Sequence, residues 1–313
     1  MITSNYIGIP VPHPGKVLQE KLLELNMSIK EFAARADVTE QFILDVITGA
    51  SGVSPVLAIA IEFVTGMDAA ALLKWQWQYD EWKARSEHFN RIAKAGSKWL
   101  KMLPVEEIVG NKWLTPAKGT SVETDDLLRF YGVASPNAWE NYYFKQKLKV
   151  AFSISLEASI NPYALSAWLR RGEIQAQEQE IENDYDAKKL KQMIPDLALI
   201  LAFPQEDILT TIKCLFSKVG VKIIYTEPLS SVPIKGATRW IYGHPCIQLL
   251  NSPERYDNYA YTVLHETGHI LLHGKKDIFI EEVGFKSSDP SYSSKEQEAD
   301  AFARKWLAFG LQG

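Results

Sequence analysis

Residues 261–273 place two histidines four positions apart inside an apolar segment, YTVLHETGHILLH. Side chains four residues apart lie on the same face of an α-helix, one turn above each other. His265 and His269 are therefore expected to point at a single metal ion. The apolar residues on either side allow the helix to be buried. The pattern thus predicts a buried helix that carries two imidazole ligands.

Glu266 follows the first histidine and completes an HExxH pattern. A catalytic zinc takes three protein ligands and keeps a fourth position open for water, and a neighbouring carboxylate can accept a proton from that water. Short motifs also arise by chance. However, three of the six histidines of the chain lie within nine residues here. We therefore predict a Zn²⁺ site with His265 and His269 as ligands and Glu266 as the catalytic base.

A second helix is predicted downstream, in the segment SKEQEADAFARKW that begins at Ser294. Ser294 is a suitable N-cap, and acidic residues follow in the first turn. Glu296 and Asp300 are four residues apart and share a face, whereas Glu298 is rotated about 200° away from Glu296. We choose Glu296 as the third zinc ligand, because Asp300 can then hydrogen-bond a ligating histidine. Glu298 is interpreted as a solvated residue.

His273 lies four residues after His269 and has two interpretations. It can approach the site as a group that polarises the substrate. Alternatively, it is a histidine at the helix C-terminus, before Gly274, where the helix dipole favours a positive charge. Because three ligands already satisfy a catalytic zinc, we favour the structural role for His273, beside the metal site and not among its ligands.

The region before the histidine helix predicts β-structure, because alternating apolar residues are broken by a turn at Gly243. The predicted strands are 219–225, 236–243 and 245–250.

This order of strands, HETGHILLH and EQEADAFA resembles the ImmA/IrrE metallopeptidases, bacterial and phage proteins that cleave or inactivate repressors. The resemblance covers roughly residues 205–310. It implies a protein substrate, either a repressor or another regulator. It also implies zinc ligands at His265, His269 and Glu296, with Glu266 as the base.

The first ninety residues predict a separate all-α domain. Ser28 caps a short helix, Ile29 to Arg35, and Thr39 caps the next one after a tight turn. Two short helices joined in this way are typical of a helix-turn-helix. Together with the opening HPGKVLQEKL and the closing WQWQYDEW, residues 10–85 resemble the HigA-like antitoxins of the Xre family. That resemblance implies operator DNA, a toxin and a second copy of the chain as candidate partners.

The charge of this domain is unusual for DNA binding. Its recognition helix begins TEQFILD and has no Lys or Arg near its start, where base contacts are expected. Residues 1–100 contain ten Lys and Arg against eleven Asp and Glu, a net charge of −1. Neutralisation of phosphate charge dominates affinity for DNA. Thr39 and Gln41 are the best candidates for base contacts, and a domain used instead for protein contact or dimerisation is an equally open interpretation.

The whole chain of 313 residues predicts an α+β multidomain protein. No apolar run long enough for a membrane span occurs, and the N-terminus lacks the pattern of a signal peptide, so we expect a cytoplasmic protein without a membrane partner. Cys214 and Cys246 are interpreted as reduced core residues. The predicted parts are a helix-turn-helix domain (1–95), a helical connecting or sensing region (96–204) and a zincin-like α+β metallopeptidase domain (205–313).

Three functions compete. The first is a zinc endopeptidase that cleaves a repressor or partner protein and is targeted by the helix-turn-helix domain. The second is a HigA-like antitoxin or transcriptional regulator, in which the peptidase-like domain is a sensor or partner-binding module. The third is a scaffold that keeps zinc for structure alone. Glu266 argues against the third, because a structural zinc site has no need of a base. We favour the first.

Overall fold

The computed structural model describes residues 10–116, 119–147, 161–203, 207–251, 256–275, 278–282 and 290–312. The chain divides into two compact units, Met1–Ala95 and Gly96–Gly313. Helices make up most of both units, and one four-stranded sheet lies in the second. The predicted α+β multidomain fold is therefore confirmed. The division into three parts stays a prediction.

Five helices begin in the first unit, and side chains cap their N-termini. Hydroxyl oxygens of Ser28, Thr39 and Ser54 each accept a hydrogen bond from the backbone N–H three residues ahead. The third helix ends at Gly49, whose φ of 80° suits glycine. The helices are α1 (Pro14–Glu24), α2 (Ile29–Arg35), α3 (Glu40–Thr48), α4 (Pro55–Thr65) and α5 (Ala69–Leu100).

The core of the first unit fills the space between these helices. Leu18 of α1, Phe32 of α2, Ile43 of α3 and Ile61 of α4 are fully buried, and Leu57 of α4 is almost fully buried. Burying an aliphatic or aromatic side chain of this size contributes about 1.5–3 kcal/mol each. The short α2 and α3 are thus held by packing, in the predicted helix-turn-helix arrangement.

Eight α-helices are described in the second unit. A π-helical stretch, Glu140–Lys147, follows the third of them. The helices are α6 (Val105–Gly110), α7 (Thr120–Tyr131), α8 (Pro136–Trp139), α9 (Pro162–Glu178), α10 (Ala187–Ala202), α11 (Ile208–Ser217), α12 (Tyr256–Leu272) and α13 (Pro290–Gln312).

The sheet is mixed, with the strand order β1-β3-β2-β4. β1 runs parallel to β3, and β2 is antiparallel to both β3 and β4. The β2–β3 hairpin turns at Tyr242 and Gly243, which both have positive φ and so match the twist of the strands. The strands are β1 (Lys222–Thr226), β2 (Ile234–Ile241), β3 (His244–Leu250) and β4 (Phe279–Glu282).

Helix α12, which carries the HExxH pattern, lies in a core shared with the sheet. Val263 and Leu264 are fully buried and pack in one cluster with Ile223 of β1 and Ile247 of β3. The same cluster includes side chains of α10, α11 and α13. Helix α12 is therefore fixed from several sides.

Helix α9 docks on the sheet through polar side chains that reach its backbone. Lys222 donates to the carbonyl of Ala176 at 2.5 Å, and Gln248 donates to that of Trp168 at 2.7 Å. A β-carbon at Gly172 would lie 2.0 Å from the end of the Gln248 side chain, so a larger residue there would displace that side chain. These bonds satisfy buried polar groups on the sheet.

Two sequence predictions are wrong in detail. Ser294 is not an N-cap, because α13 begins four residues earlier, at Pro290, a residue that the first turn of a helix tolerates. Cys214 is exposed on α11 and not in the core, whereas Cys246 is buried; both are free thiols. Within the described part of the chain, no helix has the length and apolarity that a bilayer crossing requires.

Candidate metal centre

His265 and His269 lie on one face of α12, as their spacing predicts. Both side chains are about 2% exposed. Their Nε2 atoms approach to 3.0 Å, and the ring centroids are 4.7 Å apart. Two buried imidazoles therefore direct the same ring nitrogen at one point.

Helix α13 reaches this point because small residues let the two helices approach. A β-carbon at Gly268 would lie only 3.3 Å from the Cα of Ala299, a distance tighter than ordinary packing. Ala299 and Ala303 on α13 are fully buried. Small side chains at Gly268 on α12 and at Ala299 and Ala303 on α13 thus allow the two helices to pack closely.

Glu296 extends from α13 to the two histidines. Its Oε2 lies 3.2 Å from Nε2 of His265, and its Oε1 lies 3.5 Å from Nε2 of His269. In a tetrahedral zinc site with bonds of 2.0–2.2 Å, ligand atoms are about 3.3–3.5 Å apart. The three side chains offer ligand atoms that all lie within 4.8 Å of one another. Their donor set and spacing fit a divalent ion such as zinc.

At neutral pH, the protonation states of these side chains favour metal binding. Burial lowers the pKa of His269 to about 4, so its imidazole is neutral and keeps a lone pair. Burial alone would raise the pKa of Glu296, but hydrogen bonds from His265 and His269 outweigh it and lower the pKa to about 2. A neutral imidazole and an ionised carboxylate are the forms that bind metals.

Asp300 engages the other nitrogen of His265. Its Oδ1 lies 3.1 Å from Nδ1 of His265, and it also accepts a hydrogen bond from the Tyr261 hydroxyl. A carboxylate in this position fixes the tautomer and orientation of a ligating ring. This is the position that the sequence predicts for Asp300, one helical turn after Glu296.

His273 engages the other nitrogen of His269. The two Nδ1 atoms are 2.9 Å apart, and Nε2 of His273 lies 3.4 Å from Glu298. Burial lowers the pKa of His273, which favours its neutral form. Glu298 is exposed, as expected for a solvated residue, and it also contacts His273.

Glu266 is fully buried on α12, and its side chain faces β2. A β-carbon at Gly236 would lie 2.8 Å from its Oε1, so a glycine on β2 leaves room for the carboxylate. The register of β2 against β4 shifts between Ile234 and Gly236. Thr238 contacts the Glu266 carbonyl at 3.3 Å.

Several contacts of this site were not predicted from the sequence. The Phe279 ring on β4 stacks on His269 with centroids 3.9 Å apart and an interplanar angle of 14°. Tyr292 on α13 lies one turn before Glu296, and Gly236 lies beside Glu266. The spacing of four residues between Tyr292 and Glu296 is visible in the sequence and predicts that both lie on one helix face. The stacking of Phe279 depends on tertiary structure alone.

The predicted DNA contacts belong to the first unit. Thr39 is exposed, but its hydroxyl caps α3 by accepting from the Phe42 N–H. Gln41 is exposed and donates to Asp45 at 2.9 Å. Both side chains have intramolecular partners, and their role toward DNA stays a prediction.

The C-terminal part matches a known family. Residues 216–308 match the Peptidase M78 family, described as the IrrE N-terminal-like domain. This range contains the two histidines, Glu266, Glu296 and Asp300.

The N-terminal region is similar to YddM, an uncharacterised HTH-type transcriptional regulator of Escherichia coli. The identity is 34% over 65 residues, which cover 21% of this chain and 69% of YddM. One similar solved structure is that of a candidate antidote protein of a plasmid maintenance system from Nostoc punctiforme, which is 28% identical to this chain. The match covers 26% of this chain and 91% of the antidote protein, with a TM-score of 0.26. A HigA-family antidote protein from Coxiella burnetii is 24% identical, with coverages of 28% and 95% and a TM-score of 0.26.

Proposed function

Because the chain belongs to the helix-turn-helix regulators related to YddM and carries an IrrE-like domain of the Peptidase M78 family, we propose that it is a regulatory zinc endopeptidase. Its substrate is a transcriptional repressor or another regulatory protein. Its site of action is the cytoplasm.

One observation carries the proposal. Nε2 of His265, Nε2 of His269 and the Glu296 carboxylate converge within 3.0–3.5 Å of one another, and both histidines are buried. Among the described residues, three side chains supply this cluster. A structural zinc usually has four protein ligands, whereas a catalytic one has three and an open position. The donor count therefore favours catalysis over a purely structural metal.

The chemistry follows from the residues around the cluster. Bound Zn²⁺ would supply Lewis acidity that polarises a peptide carbonyl and acidifies a water molecule. Glu266 would accept the proton of the attacking water and return it to the leaving amine. Asp300 and His273 would hold the two imidazoles in orientation through their outer nitrogens. The apolar ring of Phe279 would shield His269 on one side.

The proposal predicts cleavage of a regulatory protein, and a regulator encoded beside this gene is the first candidate substrate to test. The chain and that regulator, tagged at both ends, would be co-expressed, and fragments would be detected by immunoblotting. We expect cleavage with the wild-type chain and loss by at least about 10²-fold with Glu266→Gln, the usual contribution of a general base. Equal cleavage by the variant would contradict the mechanism, provided that both proteins contain equal zinc.

A second candidate function is transcriptional regulation or an antitoxin role through the N-terminal domain, with the peptidase-like domain as a sensor. The similarity to YddM supports it. Glu40 and Asp45 on α3 count against strong DNA affinity, since carboxylates repel phosphate. Operator DNA, a toxin and a second copy of the chain are the partners that this function would require.

A salt series tests whether the chain binds DNA, as the second function requires. Binding of the chain to a fragment of its own promoter would be followed by fluorescence anisotropy from low to physiological salt. A DNA-binding regulator should lose affinity steeply as salt rises, because counterion release drives binding. Gln41→Ala should weaken binding to the specific fragment more than to a scrambled one. If no binding occurs at low salt, DNA is not a partner.

A further inference from the structure

A cavity lies between α6, the segment that follows it and α7, all within the second unit. Its volume is about 410 Å³, which is in the range of small-molecule sites. The apolar residues of its wall are Val105, Val109, Leu114, Pro116 and Leu127. A ligand with an apolar body would cover this surface and remove it from water, which stabilises the bound state.

Three carboxylates line the same cavity. Glu123 and Asp126 on α7 are half-buried, and Glu106 on α6 is exposed. Among the described residues, no Lys, Arg or His forms an ion pair with any of these three, and Arg129 pairs with Asp125 at 2.7 Å. The cavity therefore combines an apolar wall with negative charge that has no close counter-charge in the described part of the chain.

Asp126 shows the effect of this environment. Burial, and after it the charge of Asp125, raise the pKa of Asp126, and the charge of Arg129 offsets only part of this rise. A cation inside the cavity would stabilise the ionised carboxylate. An apolar wall and carboxylates of this kind are thus complementary to a cation with an apolar body.

Hydrogen bonds fasten the α6 side of the cavity to the rest of the unit. The Glu107 carboxylate accepts from the Ser230 N–H at 2.6 Å and from its hydroxyl at 2.9 Å. The indole N–H of Trp113 donates to Glu227 at 3.1 Å. Glu107 and Trp113 do not line the cavity, but residues next to them in the chain do. The wall is therefore held in place before a ligand binds, as is usual for small-molecule sites.

We propose that this cavity is a binding site for a small organic amine, whose ammonium group pairs with Glu123 and Asp126 and whose apolar body packs on Val109 and Leu127. An ammonium group has three N–H donors, enough to engage both carboxylates. A neutral ligand would cover the carboxylates without neutralising them, and an anion would be repelled. Neither the metal centre nor peptidase activity is needed for such binding.

The test compares three ligands of similar shape and different charge. The full chain would be titrated calorimetrically with 2-phenylethylammonium, with the neutral 2-phenylethanol and with the anion 3-phenylpropanoate. We expect the ammonium compound to bind at least about tenfold more tightly than the alcohol, because hydrogen bonds to charged groups are the stronger ones. The anion should bind more weakly than the alcohol.

Asp126→Asn removes the charge and keeps the shape of the side chain. We expect it to lower the affinity for the ammonium compound about tenfold and to leave the affinity for the alcohol unchanged. Asp196→Asn is the matched control, because it makes the same change of charge at an exposed position of α10 in the same unit. It should bind the ammonium compound as the wild type does.

Three results would each overturn the proposal. The first is the absence of saturable binding of the ammonium compound up to about 10 mM, since a ligand of this size in a suitable site binds more tightly than that. The second is equal affinity for the ammonium compound and the alcohol. The third is an equal change of affinity in Asp126→Asn and Asp196→Asn. An unchanged affinity of Asp126→Asn for the alcohol shows that this variant is folded.

Discussion

Oδ1 of Asp300 lies 3.1 Å from Nδ1 of His265, while Nε2 of the same ring lies 3.2 Å from Glu296. One helix, α13, therefore contacts both nitrogens of a single imidazole from positions one turn apart. The ring cannot rotate without losing a contact at one end. If His265 binds a metal as predicted, this arrangement favours Nε2 as the nitrogen that it would offer.

Asp300→Ala is expected to weaken zinc binding about 10–100-fold without removing a ligand. The imidazole loses the carboxylate that lies 3.1 Å from its Nδ1, and the Tyr261 hydroxyl loses its hydrogen bond to that carboxylate. The zinc dissociation constant from chelator competition checks this prediction. Asp207→Ala, an exposed carboxylate of the same unit, is the control and should bind zinc as the wild type does. Unchanged affinity in Asp300→Ala would remove Asp300 from the site.

Gly268→Val is expected to destabilise the protein by about 1–3 kcal/mol, the usual cost of overpacking. Its β-carbon would lie 3.3 Å from the Cα of Ala299, and the branched side chain would force α12 and α13 apart. The urea midpoint and zinc affinity should fall together, because Glu296 moves with α13. Gly110→Ala is the control, since no atom lies within 4 Å of a β-carbon there. A Gly268→Val variant as stable as wild type would contradict the helix contact.

Gly236→Ala is expected to impair catalysis while zinc stays bound. The new methyl group would lie 2.8 Å from Oε1 of Glu266, and the flexible carboxylate must move away from it. The free energy of unfolding should change little, because the end of a side chain yields more easily than backbone. We expect cleavage of the co-expressed regulator to fall at least tenfold at equal zinc content. Loss of zinc in this variant would show instead that Gly236 supports the ligands.

The metal-free protein should lose stability as the pH falls from about 6.5. Burial lowers the pKa of His269 to about 4 in the folded chain, while an unfolded histidine titrates near 6.5. Between these two pKa values the unfolded chain binds more protons than the folded chain does. The free energy of unfolding therefore decreases as the pH falls, by about 2 kcal/mol at pH 5. Urea unfolding in the presence of a chelator measures this loss. His269→Asn, which cannot titrate, should show a shallower dependence, and equal slopes would contradict the burial effect.

Local chemistry explains what could be predicted from the sequence. Ser28 and Thr39 cap their helices as expected, because capping depends on residues within one turn. The choice of Glu296 over Glu298 follows from helical rotation, and the structure brings Glu296 to the histidines. The roles of these residues toward a metal stay predictions.

Contacts between distant segments could not be predicted. Phe279 reaches His269 only because β4 pairs with β2, and no local pattern specifies that pairing. Ser294 is a residue type that often caps helices, but α13 begins one turn earlier, at Pro290, and Tyr292 in that added turn is buried against Phe279. The space that Gly236 leaves for Glu266 likewise depends on how α12 lies on the sheet.

The central claim is that His265, His269 and Glu296 hold one zinc ion. Anomalous diffraction from crystals of the zinc-loaded protein, recorded on both sides of the zinc absorption edge, tests it most directly. We predict one strong peak about 2.0–2.2 Å from Nε2 of each histidine and from a Glu296 oxygen. A peak elsewhere, or no peak at this position in crystals grown with excess zinc, would contradict the account.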